Sequence, residues 1–266
     1  MTVWRQAQSN KVPCIAFINK LDKPNADIDM TLDSMKTKLG LEPILTQIPM
    51  GKDLIDLVSM KKLSFDAQSR GATIEETCLD LNDSEIKPKR LEFLEKISEF
   101  DDAIAEKIIN EEDIKEEDIN QALKQIVHNS KALVTFCGSA YKDYGVQPLL
   151  NAIINLLPDT QVVQHLDFMK NLRPEKDLCA MAFKIVHHPT KGVLTFVRIY
   201  SGHLNEGDSI YNMTRNVSEK VTRLSIAYSN EFKQVQQVRH GNIVVISGTC
   251  IFTTFQPSDK GHFWGT

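Results

Sequence analysis

Apolar and polar positions change rhythm several times along this chain. From Val12 to Ile18 the residues are apolar without alternation, and the run stops at Asn19-Lys20-Leu21-Asp22. An unbroken run of this kind reads as a strand covered on both faces in a parallel sheet, where ligands sit beyond the carboxyl ends of strands. Met30, Leu32, Met35 and Leu39 then recur at roughly helical spacing, and Gly40 closes the segment. Leu45 to Pro49 and Ile55 to Met60 read as short strands or turns. Leu91, Leu94, Ile97, Ile104 and Ile108 fall on one helical face, and Ile119, Leu123 and Ile126 begin another. A second β-prone run, Lys131 to Cys137, ends in Gly138-Ser139-Ala140. Val146, Leu149, Leu150, Ile153, Ile154 and Leu157 then form a helical stripe, with Pro148 in its first turn and Pro158 at its end.

Past Pro158 the pattern switches from helical to alternating. Residues 161–176 are polar and read as a linker between domains. Leu178 to Val186, Val193 to Ser201, Ser209 to Met213, Lys220 to Ile226, Val235 to Val238 and Ile243 to Ser247 are short β-prone runs separated by turn signals. Evenly spaced short strands predict a small barrel or sandwich. The fold class is therefore α/β for residues 1–160, followed by an all-β domain over 177–266.

Composition narrows the classes. The chain has 266 residues, 42% of them hydrophobic, enough for one large or two medium domains and unlike a chain disordered throughout. Its five cysteines, Cys14, Cys78, Cys137, Cys179 and Cys250, form no CxxC pair and no cluster with His, so they read as buried thiols in a reducing compartment. His187 and His188 are adjacent in a β-prone run, which points them to opposite faces and leaves a metal reading without further ligands. No apolar run approaches the ~20 residues of a bilayer span, and the amino end is not an Arg-rich presequence. Charge is uneven: Glu75 to Asp118 holds 17 Asp or Glu against 6 Lys or Arg, a local net of −11 in a chain of net −4. The plain reading is a helical insertion with a solvated acidic face; the sharper one is a docking surface for a basic partner.

The chemistry lies at the two strand ends. An aspartate carboxylate only accepts, and it can take two N–H donors side by side. Guanine offers such a pair on N1 and its 2-amino group, and adenine does not. A site built on that pairing rejects the wrong base by leaving a buried charge unpaired, which allows discrimination on the order of 10⁴. Asp22 would select the base, Asn19 would bond its other edge, and the methylenes of Lys20 would cover a ring face. A bare Asn-Lys-x-Asp string is also an ordinary turn after a strand. The Gly138-Ser139-Ala140 segment strengthens the guanine reading. Guanine nucleotide-binding proteins carry a Ser-Ala turn after the following strand, whose backbone N–H reaches the guanine carbonyl oxygen.

Three blocks carry a family resemblance. Thr2-Val3-Trp4-Arg5-Gln6-Ala7, Ile15 to Asp22, and Cys137 to Leu150 resemble the translation elongation factor G family, and within it the mitochondrial form that releases ribosomes after termination. Ala182 to Ile185 and Phe196 to Gly202 are similar to the second, β-barrel domain of the same factors. The resemblance implies a partial P-loop-type GTPase domain over 1–160, with an insertion at about 41–130, then a linker over 161–176 and an incomplete barrel over 177–266. Residues 247–266 depart from the family pattern and form an atypical tail. Implied with it are GTP or GDP at Asn19, Lys20, Asp22, Ser139 and Ala140, and Mg²⁺ whose ligands are not among these residues. The implied partners are the ribosome, met through small-subunit rRNA at the barrel and a stalk protein at the insertion, and a ribosome recycling factor. No membrane or DNA partner is implied, and the implied location is the mitochondrial matrix.

Two functions of different class follow. One is part of a translational GTPase that drives mitochondrial ribosome disassembly, with translocation as the variant within that class. The other is a non-catalytic binding module. A GTPase holds phosphate on a GxxxxGK[ST] loop, and these residues contain none; Gly51-Lys52-Asp53 lacks both the spacing and the hydroxyl. The polypeptide by itself is therefore expected to hydrolyse no GTP above background. Ribosome-stimulated phosphate release by the purified chain would contradict this.

Overall fold

The computed structural model describes residues 2–66, 69, 73–80, 83–159, 177–213 and 216–248, and residues 255–257 as backbone. It divides into two compact units, Met1–Pro158 and Asp159–Thr266. The linker expected over 161–176 lies outside the described residues.

In the first unit, α1 (Thr2–Ser9) precedes β1 (Ala16–Ile18) and α2 (Ile28–Leu39). Asp27 starts α2 by accepting the Met30 N–H at 2.9 Å, and Gly40 ends it in the left-handed region. The Trp4 indole N–H donates to the Leu39 carbonyl at 3.0 Å, tying α1 to the end of α2. Then come β2 (Pro43–Leu45), β3 (Gln47–Met50), β4 (Asp53–Asp56), β5 (Lys61–Phe65) and β6 (Ile74–Cys78). Three helices follow, α3 (Ile86–Ser98), α4 (Asp102–Ile109) and α5 (Glu116–His128), and then β7 (Leu133–Cys137) and α6 (Val146–Leu156). Strands β1, β7 and β2 form a parallel sheet in that order, with β7 central and buried throughout, while β3 to β6 form an antiparallel meander.

The core of this unit fits the helical periodicity with corrections. Phe93, Leu94 and Ile97 from α3, Ile104 from α4, and Ile119, Leu123, Ile126 and Val127 from α5 pack with Ile44, Val134 and Phe136 of the parallel sheet. Leu91, expected on the buried face, is half exposed. Helix α3 begins at Ile86, and the face through positions 86, 93, 94 and 97 takes Phe93 inward and leaves Leu91 to one side. Met30 is likewise outside, because α2 turns Ile28, Leu32 and Met35 to the packed side. The stripe on α6 packs on one side only: Ala152 and Leu156 are buried, while Leu150, Ile153 and Ile154 are exposed. The Val12–Ile18 run is not covered on both faces. Only Ala16–Ile18 pairs, with β7 alone among the described residues, and Ile18 is its one buried member. Cys78, expected inside, is exposed on β6 and Cys14 is partly exposed, whereas Cys137 and Cys179 are buried. Burial raises the Cys137 thiol to about 12 and the Cys179 thiol to about 11. Cys250 lies outside the described residues.

The acidic helices are stitched by their own charges. The Asp118 carboxylate accepts the Lys115 N–H at 3.1 Å and pairs with Lys107 at 2.6 Å, which holds the start of α5 against α4.

The second unit is β-rich. Its strands are β8 (Cys179–His188), β9 (Gly192–Ser201), β10 (His203–Asn205), β11 (Ser209–Asn212), β12 (Val217–Lys220), β13 (Arg223–Tyr228), β14 (Glu231–Val235), β15 (Gln237–Arg239), β16 (Ile243–Ser247) and β17 (Phe255–Pro257). Eight of them form an open antiparallel sheet in the order β12-β11-β17-β8-β9-β16-β13-β14, and β10 pairs with β15. Within the tail set apart by the sequence, Phe255–Pro257 lies between β11 and β8. The run Lys220 to Ile226 is two strands, because at Val221 the backbone leaves the ladder to bond Asp208 and Gly207. Val197, Ile199, Leu204, Ile210, Leu224, Val244 and Ile246 make the core, one face of an alternating pattern. His188 turns to the Phe232 ring, at 5.9 Å between centroids.

Removing side chains from the two sides of the helical layer should separate core from surface. Leu123→Ala, at 1% exposure, is expected to cost about 2–5 kcal/mol in urea denaturation. Ile154→Ala, at 77% exposure, should stay within about 0.5 kcal/mol of the parent.

Candidate functional site

Parallel pairing of β1 with β7 sets Ile18 beside Cys137, so the loops that follow leave the sheet side by side. Their backbones interlock at once: the Gly138 N–H donates to the Ile18 carbonyl at 3.0 Å and the Leu21 N–H to the Gly138 carbonyl at 3.1 Å. A β-carbon on Gly138 would collide with the Tyr144 carbonyl and press on Phe17 Cζ at 3.1 Å, so the approach requires glycine there.

The five residues singled out by the sequence meet here. Asn19 Oδ1 accepts two backbone N–H groups, from Lys20 at 2.8 Å and from Ala140 at 2.9 Å. Both partners are donors, which identifies the oxygen and leaves the two hydrogens of the Asn19 amide nitrogen without a partner among the described residues. Across the same gap the Ser139 hydroxyl donates to Asp22 Oδ1 at 2.5 Å, a bond between residues 117 apart in sequence. Lys23 stands 3.6 Å from the other carboxylate oxygen. The Lys20 backbone sits at φ +68°, a left-handed conformation uncommon for a residue with a β-carbon. It follows from the short loop, in which the Lys20 carbonyl accepts the Lys23 N–H at 3.1 Å. Lys20 and Ala140 are exposed, and Ser139 is buried.

The Ser139 bond holds the Asp22 carboxyl below the usual carboxylate range, helped by Lys23 and opposed by partial desolvation. The group is therefore an acceptor throughout the neutral range, and its charge is lost only as pH falls through that lowered value. In the Ser139-Ala140 turn, the Ala140 N–H donates to Asn19.

Asp22 lines a cleft of about 460 Å³ together with Leu21, Ile28, Pro49, Phe65, Tyr144, Ser139, Lys52 and Lys142. Sequence reasoning gave no site role to Phe65, or to Lys142 and Tyr144, although the last two lie in the Cys137–Leu150 block. It met Lys52 only as part of a failed phosphate loop, and in the structure Gly51-Lys52 is the turn between β3 and β4. A second cleft of about 470 Å³, between α2, β2 and α3, contains none of the five residues. Among the described residues no three or more His, Cys, Asp or Glu side chains gather into a metal site. No helix among them is long and apolar enough to cross a membrane.

A family model for the elongation factor Tu GTP-binding domain matches residues 1–159, and one for elongation factor G domain 2 matches residues 177–255. The chain belongs to the elongation factor G family of translational GTPases. It is 38% identical over 263 residues to elongation factor G of Petrotoga mobilis, covering 93% of this chain and 38% of that protein. It is 34% identical over 266 residues to mitochondrial ribosome-releasing factor 2 of Danio rerio, covering 93% of this chain and 34% of that one. The chain thus spans little more than a third of the curated relatives it matches. A crystal structure of a Thermus thermophilus protein shares the fold, with a TM-score of 0.76 at 21% identity, over 98% of this chain and 38% of its own.

Removing the Ser139 hydroxyl should release the carboxylate. In Ser139→Ala the Asp22 pKa is expected to rise toward its ordinary value, which side-chain carboxyl NMR titration would report. An unchanged value would mean that another group holds it down.

Proposed function

We propose that the loops after β1 and β7 form the base-binding half of a guanine-nucleotide site. The observation that carries this is the Ser139–Asp22 hydrogen bond, which orients a carboxylate that is ionised at neutral pH at the mouth shared by the two loops. With Oδ1 held, the remaining lone pairs face outward and suit the paired N1–H and 2-amino donors of guanine. The free Asn19 amide hydrogens suit the acceptor on the opposite edge of the base. The Lys20 stem suits a ring face. The Ala140 N–H would be shared between Asn19 and the guanine carbonyl, a three-centre arrangement that backbone donors tolerate. The donor and acceptor set thus fits the guanine part of GTP or GDP.

At the level of the whole factor, we infer action on the ribosome, with the β-rich unit meeting small-subunit rRNA and the acidic helices facing a stalk protein. Recycling of mitochondrial ribosomes in the matrix, together with a recycling factor, is the reading supported by similarity to the Danio rerio releasing factor. Translocation is the second reading, favoured by 38% identity to a bacterial elongation factor G.

The base assignment is tested by nucleotide titration. Asp22→Asn replaces one acceptor oxygen by an N–H donor, which matches the 2-carbonyl of xanthine and opposes the 2-amino group of guanine. The parent chain should prefer GDP to XDP and the variant should reverse that order, by tenfold or more in each direction, the scale of about 1–3 kcal/mol per lost hydrogen bond to a charge. Equal binding of both nucleotides by the parent would defeat the guanine reading. At the level of the whole factor, splitting of post-termination mitochondrial ribosomes only when recycling factor is present favours recycling. Support of mRNA movement instead favours translocation.

A further inference from the structure

Tyr144 belongs to no recognition motif, yet it joins two sheets at the site. Its backbone pairs reciprocally with Ser139, N–H to carbonyl at 2.9 Å and 3.0 Å. Its hydroxyl reaches away from the loops and donates to the Asp53 carbonyl, at the start of β4, at 2.8 Å. Its ring stands edge-on to Phe65 of β5, 5.2 Å between centroids at 71°. Asp53 is itself fixed, since its backbone pairs with Met50 and Ser64 and its carboxylate with Lys62 at 2.8 Å. Next to Tyr144, Gly145 sits at φ +78° with Leu54 Cδ1 of β4 at 3.2 Å from where a β-carbon would stand, so the turn is closed against the meander.

These contacts make a continuous path. The meander holds the Tyr144 side chain, the Tyr144 backbone holds Ser139, and the Ser139 hydroxyl holds Asp22 Oδ1. Every link is a hydrogen bond with defined direction, so a shift of β4 against the parallel sheet must either break one link or move the carboxylate. We infer that Tyr144 is a positioning residue for base selection, through which the β3–β6 meander sets the orientation of Asp22. Occupancy of the base site and packing of the meander are coupled through it. This inference rests on the guanine reading above and adds to it a residue outside both motifs.

The test uses the 266-residue chain and two nucleotides, GDP and IDP. Hypoxanthine lacks the 2-amino group, so the ratio of their affinities reports only how well the carboxylate meets that second donor. Tyr144→Phe keeps the ring against Phe65 and deletes the hydroxyl bond to Asp53. The GDP-to-IDP preference is expected to fall about fivefold, the factor carried by an ordinary net hydrogen bond. Hydrogen exchange at the Ser139 and Ala140 amides is expected to quicken. Partial unfolding alone would weaken both nucleotides equally and leave the ratio untouched. Phe65→Leu, which removes the ring contact from the other side, should lower the ratio in the same direction and serves if Tyr144→Phe does not fold. A parent chain that discriminates GDP from IDP, with an unchanged ratio in the variant, overturns the role of Tyr144 and leaves the guanine reading standing. A parent chain with no preference overturns both.

Discussion

The parallel pairing of β1 with β7 is the constraint on which the rest of the site depends. Parallel strands need a long connection between them, and here that connection holds a helix, the third strand of the sheet, a four-stranded meander and three further helices. All of it returns the chain to one register, Ile18 beside Cys137. A slip of one residue would move the two loops past each other and break the Gly138–Ile18 and Leu21–Gly138 hydrogen bonds that join them. The two loops would then offer separate turns and no shared carboxylate. Val134 and Phe136 of β7, with Ile44 beside them, resist that slip, since they belong to a core packed by α3, α4 and α5.

At the loops the structure trades backbone comfort for fixed polar geometry. Lys20 takes a left-handed conformation, and Gly138 and Gly145 stand where a β-carbon would strike backbone. In return Asn19 and Asp22 are each held by a group from the opposite loop. A carboxylate fixed by a hydroxyl keeps its charge and its direction, so the proposed base site would need less ordering on binding. The meander between the strands takes part in this through Tyr144, which makes the long connection more than a spacer.

The β-rich unit obeys a different rule. Among the described residues its sheet is open, with β12 and β14 each bonded on one side only. Its core is one alternating face, and the cations Lys184, Lys191 and Arg198 lie over the aromatic rings of Phe196, Phe232 and Tyr200. Such pairs keep charged side chains extended along the sheet and cover apolar surface that the pleat turns outward.

The sequence by itself determined the change from helical to alternating periodicity after Pro158, the two apolar strands that end in polar loops, and the five residues that meet there. These are local properties: side-chain rhythm follows from backbone geometry, and a motif at a strand end travels with its strand. It erred where burial depends on what lies across the gap. Leu91 lost its place to Phe93, the α6 stripe packed on one side, Cys78 faced outward, and the first apolar run paired over three residues only. Only the tertiary structure decided that the Ala140 N–H turns to Asn19 and that Ser139 holds Asp22. It alone decided that Tyr144 anchors their turn to a meander whose residues carry no signature of the site. The physical reason is that hydrogen bonds between segments so far apart in sequence exist only once packing has fixed the register, and no local pattern encodes that.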